Sequence, residues 1–128
     1  MAIIDSMAIP DSETSQQNRA AHLKLIGAVR ALEAKVQTVS ARAGPKFAKR
    51  GQLLPRDRVA LLLDRDAPFL ELSALAGIGM HDDDGNENVY GGGAITGIGF
   101  VSGVRVMVFA SDAGIKGGAA HPMGIKKQ

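Results

Sequence analysis

At 128 residues, with 45% hydrophobic side chains and a formal net charge of +2, the chain has the length of one domain and is too apolar for a disordered tail. It has no cysteine, which excludes disulfides, thiolate catalysis and cysteine-held metals. No run of eighteen apolar residues occurs, so a membrane-spanning helix and a membrane partner are not expected. The first residues, Met-Ala-Ile-Ile-Asp, lack the basic start and apolar run of a secretory signal, and a cytoplasmic location is the expectation.

The small net charge hides a division. Residues 19–58 carry ten Lys or Arg against Glu33 and Asp57, whereas residues 59–90 carry Arg65 against seven acids. Such asymmetry predicts either a basic surface for an anionic partner or two segments that face each other.

In chain order, residues 1–14 read as an extended arm, with turn chemistry at Pro10-Asp11-Ser12. Residues 15–66 read as a helical segment. From about Ser15 to Arg42, Leu25, Val29, Leu32, Val36 and Val39 recur at alternating spacings of four and three, an apolar stripe along one helix face. Gly27 weakens that helix by roughly 1 kcal/mol relative to alanine. A lone stripe needs a cover, so the helix is expected to pack on another element or another subunit.

Pro45 disfavours helical geometry at the residue before it, and Ala43-Gly44-Pro45 is expected to end the helix. Lys46, Lys49, Arg50, Arg56 and Arg58 then crowd into thirteen residues. Pro55 suits the first turn of a second helix over about 55–64, with Asp57 near its positive end and Val59, Leu62 and Leu63 toward a core.

Residues 67–128 carry the strands. Phe69-Leu70-Glu71-Leu72 reads as a short strand with Glu71 outward. His81-Asp82-Asp83-Asp84-Gly85-Asn86 has the composition of a calcium loop but not its register. With Gly85 in the sixth position, Met80 would stand first and Gly91 twelfth, where carboxylates are needed. A solvated loop is expected there.

Ala94 to Val101 and Val104 to Ala110 are β-rich runs separated by Ser102-Gly103, a hairpin signal. The second run is apolar except at Arg105, which predicts burial on both faces under helices. Left uncovered, such a strand invites pairing with another chain, so self-association is the further expectation. A basic helix starts after Pro122.

Most catalytic and nucleotide motifs fail. Gly97-Ile98-Gly99 with Gly103 misses the dinucleotide spacing by one residue and lies inside a strand, and no P-loop pattern occurs. His22, His81 and His121 belong to no nucleophile motif. Asp112, at a strand end, is expected to cap a loop, and His121 beside Pro122 is expected to be structural. Backbone chemistry remains. Gly114, Gly117 and Gly118 let a loop approach a ligand without interference from a Cβ, and Lys116, Lys126 and Lys127 add charge suited to a carbonyl or phosphate. A tight structural turn explains the same glycines equally well.

Four collinear blocks go further: RGQLLPRDRVALLLD at 50–64, PFLELS at 68–73, GGGAITGIGFVSGV at 91–104 and SDAGIKGGAAHPMGIKK at 111–127. Together they resemble the start of carboxyltransferase (β) subunits of biotin-dependent acyl-CoA carboxylases, of the methylcrotonoyl-CoA and geranyl-CoA type. The resemblance implies an α/β fold: the start of a crotonase-like β–β–α superhelix over residues 67–128, preceded by two helices. It implies transfer of a carboxyl group from carboxybiotin, carried on a biotin-bearing α subunit, to an acyl-CoA, in a homo-oligomer of β subunits with no covalently bound cofactor. The loop Ala113, Gly114, Ile115, Lys116, Gly117 and Gly118 is then expected on the CoA side, and no catalytic or metal-ligating residue is assigned.

The sequence departs from the family pattern around that loop. Ser111-Asp112 stands where Asn-Asp is usual, and Ala119-Ala120-His121-Pro122 where Thr-Tyr-Tyr-Pro is usual. Complete members are several times longer, so the chain is expected to be an N-terminal fragment without carboxyltransferase activity of its own. A non-catalytic CoA-binding or subunit-assembly role is the alternative. Nucleic-acid binding through residues 42–58 is disfavoured, because only Phe47 offers a stacking platform among those charges.

Overall fold

The computed structural model describes residues 9–127. The chain divides into two compact units, residues 1–32 and 33–128. Helix α1, Glu13–Ala41, runs through that division. It begins two residues earlier than the apolar periodicity predicts because Ser12 caps it: the Ser12 hydroxyl accepts the Ser15 N–H at 3.2 Å. Residues 1–8 of the predicted arm lie outside the described residues.

The stripe on α1 is buried over only part of its length. Leu25, Val29 and Leu32 are exposed, whereas Val36 and Val39 are buried. Val36 and Val39 pack with Val89, Tyr90 and Ile115 in the first of two small cores, flanked by Leu75 and Ile78.

A short helix that periodicity does not predict follows, α2, Gly44–Lys49. Pro45 occupies its first turn, so the residue that stops α1 also starts α2, where its missing N–H costs nothing. Helix α3, Pro55–Leu62, is the predicted second helix, shorter by two residues. Its inward line runs Pro55, Val59, Leu63 at spacings of four, which leaves Leu62 on the flank and 53% exposed, contrary to expectation.

The sheet is antiparallel in the order β1-β2-β3, with β1 Leu70–Glu71, β2 Ala94–Val101 and β3 Val104–Ser111. Leu70 pairs with Ile98, and the hairpin register runs from Ala94 opposite Ser111 to Val101 opposite Val104. Val59, Ile95 and Val108 form the second core with Leu63, Phe69, Val106 and Ala110 around them. Gly97 and Gly99 are explained by this packing: a Cβ on Gly97 would stand 2.4 Å from the Phe69 ring, and one on Gly99 would stand 2.5 Å from Leu63.

Two expectations about the strands are corrected. Glu71 does not point to solvent; its carboxylate receives both Arg56 terminal nitrogens, at 2.7 and 2.9 Å, and ties β1 to α3. Strand β3 is not buried on both faces. One face meets α3, but Met107 and Phe109 on the other are 62% and 47% exposed. Apolarity records a capacity for burial, and among the described residues no element covers that face.

The hairpin turn is held from outside as well. Asp64 accepts the N–H groups of Ser102 and Gly103 at 2.6 and 2.7 Å, and donates its own N–H to Phe100. At the other end, Gly91, Gly92 and Gly93 have φ of 65°, 64° and 62°, three successive left-handed residues that no side-chain-bearing sequence would adopt at low cost. Helix α4, Pro122–Lys127, packs on this turn. Strands β2 and β3 with α4 make a β–β–α unit.

Candidate functional site

The charge division resolves into two parts. Some of the basic residues meet the acidic segment: Lys35 and Arg42 both bind Glu87, at 2.7 and 2.6 Å, and Arg56 binds Glu71. Their bonds hold the Glu87 carboxyl below the usual glutamate range, and the Lys35 ammonium is raised in return. Lys46, Arg50 and Arg58 take no ion-pair partner among the described residues. They line instead, together with Phe47, Ala113 and Gly117, a cleft of about 640 Å³.

This cleft joins the basic stretch to the predicted glycine loop. Helix α2 and the turn after it supply Lys46 and Arg50; the first turn of α3 supplies Arg58. Three cations around an open cleft favour an anion, and they favour phosphate over a lone carboxylate because several charges share the same space.

Of the six loop residues predicted from the sequence, Ala113 and Gly117 line the cleft. Ile115 does not: it is 1% exposed and inserted in the core against α1. Gly114 is held to glycine by its approach to α1. A Cβ there would stand 2.5 Å from the Ser40 carbonyl oxygen. Gly118 turns away and lines a separate hollow beside His121. Lys116 is exposed, with φ of 45°, and lies outside the cleft lining.

The loop's internal bonding explains this division. Asp112, 2% exposed, accepts the Ser40 hydroxyl at 2.9 Å and the Gly114 N–H at 3.0 Å, both on Oδ1. Its own N–H donates to Gly93, while Ile115 N–H donates to Asp112 O and Gly118 N–H to Ile115 O. The expected loop-capping aspartate is therefore present, and the N–H groups of Lys116 and Gly117 are left without a protein acceptor among the described residues.

Lys127 has a different role from the one its position suggests. Its ammonium donates to the carbonyls of Gly91 and Ala94, at 3.1 and 2.6 Å, closing α4 onto the triple-glycine turn. Burial pulls its pKa below the usual lysine range, with Arg56 acting the same way and Glu71 and Asp112 opposing. His121 is buried against Gly93, its Nε2 without a hydrogen-bond partner among the described residues. In the acidic loop, Asp83 accepts the N–H groups of Gly79 and Gly85 and Asp84 that of Asn86, so these carboxylates brace their own backbone.

Solved structures of similar shape define the class. The β subunit of P. aeruginosa geranyl-CoA carboxylase superposes with a TM-score of 0.82 at 50% identity, covering 96% of this chain and 22% of that one. Transcarboxylase 12S, solved as a hexamer with methylmalonyl-CoA bound, superposes with a TM-score of 0.64 at 26% identity, over 79% of this chain and 21% of its own. The fold is that of the crotonase-like carboxyltransferases. The carboxyl transferase domain model matches residues 46–128, and the chain belongs to that family.

Named relatives agree. The chain is 49% identical over 86 residues to a probable mitochondrial methylcrotonoyl-CoA carboxylase β chain of Drosophila melanogaster. It is 50% identical over 86 residues to a biotin-dependent 3-methylcrotonyl-coenzyme A carboxylase β1 subunit of Mycobacterium tuberculosis. Each match takes in 67% of this chain but only 14% and 16% of the relative, so the chain spans a small part of the proteins it matches. Among the described residues no helix is long and apolar enough to cross a membrane.

The cleft is not legible in residue order because Arg58 and Ala113, which both line it, are 55 positions apart in the chain. The available signal was the crowding of Lys46, Arg50 and Arg58 with Asp57 as the one acid in that stretch, which marks a basic surface but not what it faces.

Proposed function

We propose that this chain supplies the CoA-docking part of a biotin-dependent acyl-CoA carboxyltransferase. The whole protein transfers a carboxyl group from carboxybiotin, carried by a biotin-bearing α subunit, to an acyl-CoA of the methylcrotonoyl or geranyl type. Further copies of the same subunit complete its assembly, and the cytoplasm is its location. The observation that carries the reading is the cleft in which Lys46, Arg50 and Arg58 face Ala113 and Gly117.

The chemistry suits that ligand. The phosphates of CoA present several negative charges suited to three cations, and Gly117, whose N–H has no protein acceptor among the described residues, lines the same cleft. The exposed stripe of Leu25, Val29 and Leu32 supports contact with other subunits, which keeps an assembly role as a second reading.

Titration calorimetry with CoA, set against inorganic tripolyphosphate, tests the docking role. CoA is expected to bind the tighter of the two, and Arg50→Ala or Arg58→Ala to weaken it about tenfold, the equivalent of ~1.4 kcal/mol. Equal binding of the two ligands, or no CoA binding, overturns it.

A further inference from the structure

We infer that the buried pair Ser40 and Asp112 is the positioning clamp of the CoA-side loop, setting the affinity of the cleft through the backbone of residues 113–118 without touching the ligand. The inference rests on the CoA-docking reading for its functional consequence, but the clamp itself is a separate physical claim.

Burying a carboxylate is costly. Asp112 is 2% exposed and Ser40 is likewise 2% exposed, so neither group is solvated by bulk water. A carboxylate so placed needs hydrogen-bond donors or it destabilises the fold. Its Oδ1 takes two, the Ser40 hydroxyl from the end of α1 and the Gly114 N–H from the loop. One atom therefore couples a helix to a loop that is otherwise linked to it through the Ile115 side chain.

The loop depends on that coupling. Gly114 lies so near the Ser40 carbonyl that no Cβ fits, and Ile115 must then enter the core beside Val36 and Val39. Beside the inward-turned Gly114 and Ile115, residues 116 and 117 lie in the left-handed region, at φ of 45° and 67°. Lys116 is not glycine and adopts that conformation only at a cost, which the buried anchor offsets. Ala113 and Gly117, on either side of the anchored residues, are the two that line the cleft. The affinity of the cleft thus follows the position of loop atoms that Asp112 and Ser40 hold without themselves lining the cleft.

The test compares Asp112→Ala, Asp112→Asn and Ser40→Ala in the full chain, with three readouts: calorimetric CoA affinity, thermal midpoint, and amide hydrogen exchange at Gly114, Lys116 and Gly117. Asparagine keeps an oxygen acceptor at the Oδ1 position, so Asp112→Asn should retain CoA affinity within about threefold. Asp112→Ala should weaken CoA at least about tenfold and accelerate exchange at Gly114, with Ser40→Ala between the two. Should Asp112→Ala fail to fold, Ser40→Ala and the asparagine rescue still decide the point. Wild-type exchange and affinity in Ser40→Ala, or an Asp112→Asn no better than Asp112→Ala, overturns the clamp. If the wild-type chain binds no CoA, the docking reading fails, while exchange at Gly114 still tests the clamp.

Discussion

Replacing Gly114 by alanine separates a structural glycine from a ligand-facing one. The added Cβ would stand 2.5 Å from the Ser40 carbonyl oxygen, 2.8 Å from its hydroxyl and 3.0 Å from Asp112 Oδ1, where ordinary contact begins near 3.4 Å. The nearest atom is helix backbone at the end of α1, which cannot swing aside as a long side chain would. Overpacking of this kind costs about 1–3 kcal/mol. Displacing the loop also strips a donor from a buried carboxylate, for about another 1–3 kcal/mol. For a chain of this size the sum corresponds to a fall in thermal midpoint on the order of 10 °C, readable by circular dichroism. Gly117→Ala is the control: its Cβ would meet nothing within 4 Å, and only its φ of 67° opposes the change. That costs about 1–2 kcal/mol and a correspondingly smaller shift. If Gly114→Ala melts with the wild type, or if Gly117→Ala is the more damaging of the two, the close packing of the loop on α1 is refuted.

Three other expectations follow from named contacts. Glu71→Gln leaves the Arg56 guanidinium, partly buried and with Nε already unpartnered, short of its carboxylate, and should cost about 2 kcal/mol in chemical denaturation; an unchanged midpoint would show the pair to be inert. Asp64→Ala removes the acceptor of the Ser102 and Gly103 N–H groups and should cost about 1–2 kcal/mol, with faster amide exchange confined to the hairpin tip; exchange that stays slow there counts against the cap. The Glu87 carboxyl is held below its usual value by Lys35 and then Arg42, so its contribution is complete above the ordinary glutamate pKa and is lost as pH falls through the depressed one. Melts of wild type and Glu87→Gln should therefore converge in acid and diverge toward neutrality; parallel curves would remove this carboxylate from the pH dependence.

Much of the local structure follows from residue order alone, because the forces involved act over a few residues. Ser102-Gly103 between two β-branched runs dictates the hairpin, Pro55 starts α3, and Asp112 after a strand caps the next turn. The four collinear blocks carried the family resemblance for the same reason that they carry the fold: Gly91–Gly93, Gly97, Gly99 and Gly114 are each required by a left-handed turn or a close approach.

Tertiary structure alone decided which groups meet. The length of apolar run in β3 could not reveal that one face is open, since hydrophobicity measures the gain from burial and not the presence of a cover. Glu71 looked outward by alternation, yet Arg56 lies where it can reach both carboxylate oxygens. Lys46, Arg50 and Arg58, without an ion-pair partner among the described residues, share a cleft with Ala113 and Gly117 because Gly114 packs against Ser40 in the last turn of α1. Residue order suffices for a glycine loop and a basic stretch; packing of that loop on the helix end brought them to one cleft, by contacts between residues more than seventy positions apart that no local pattern encodes.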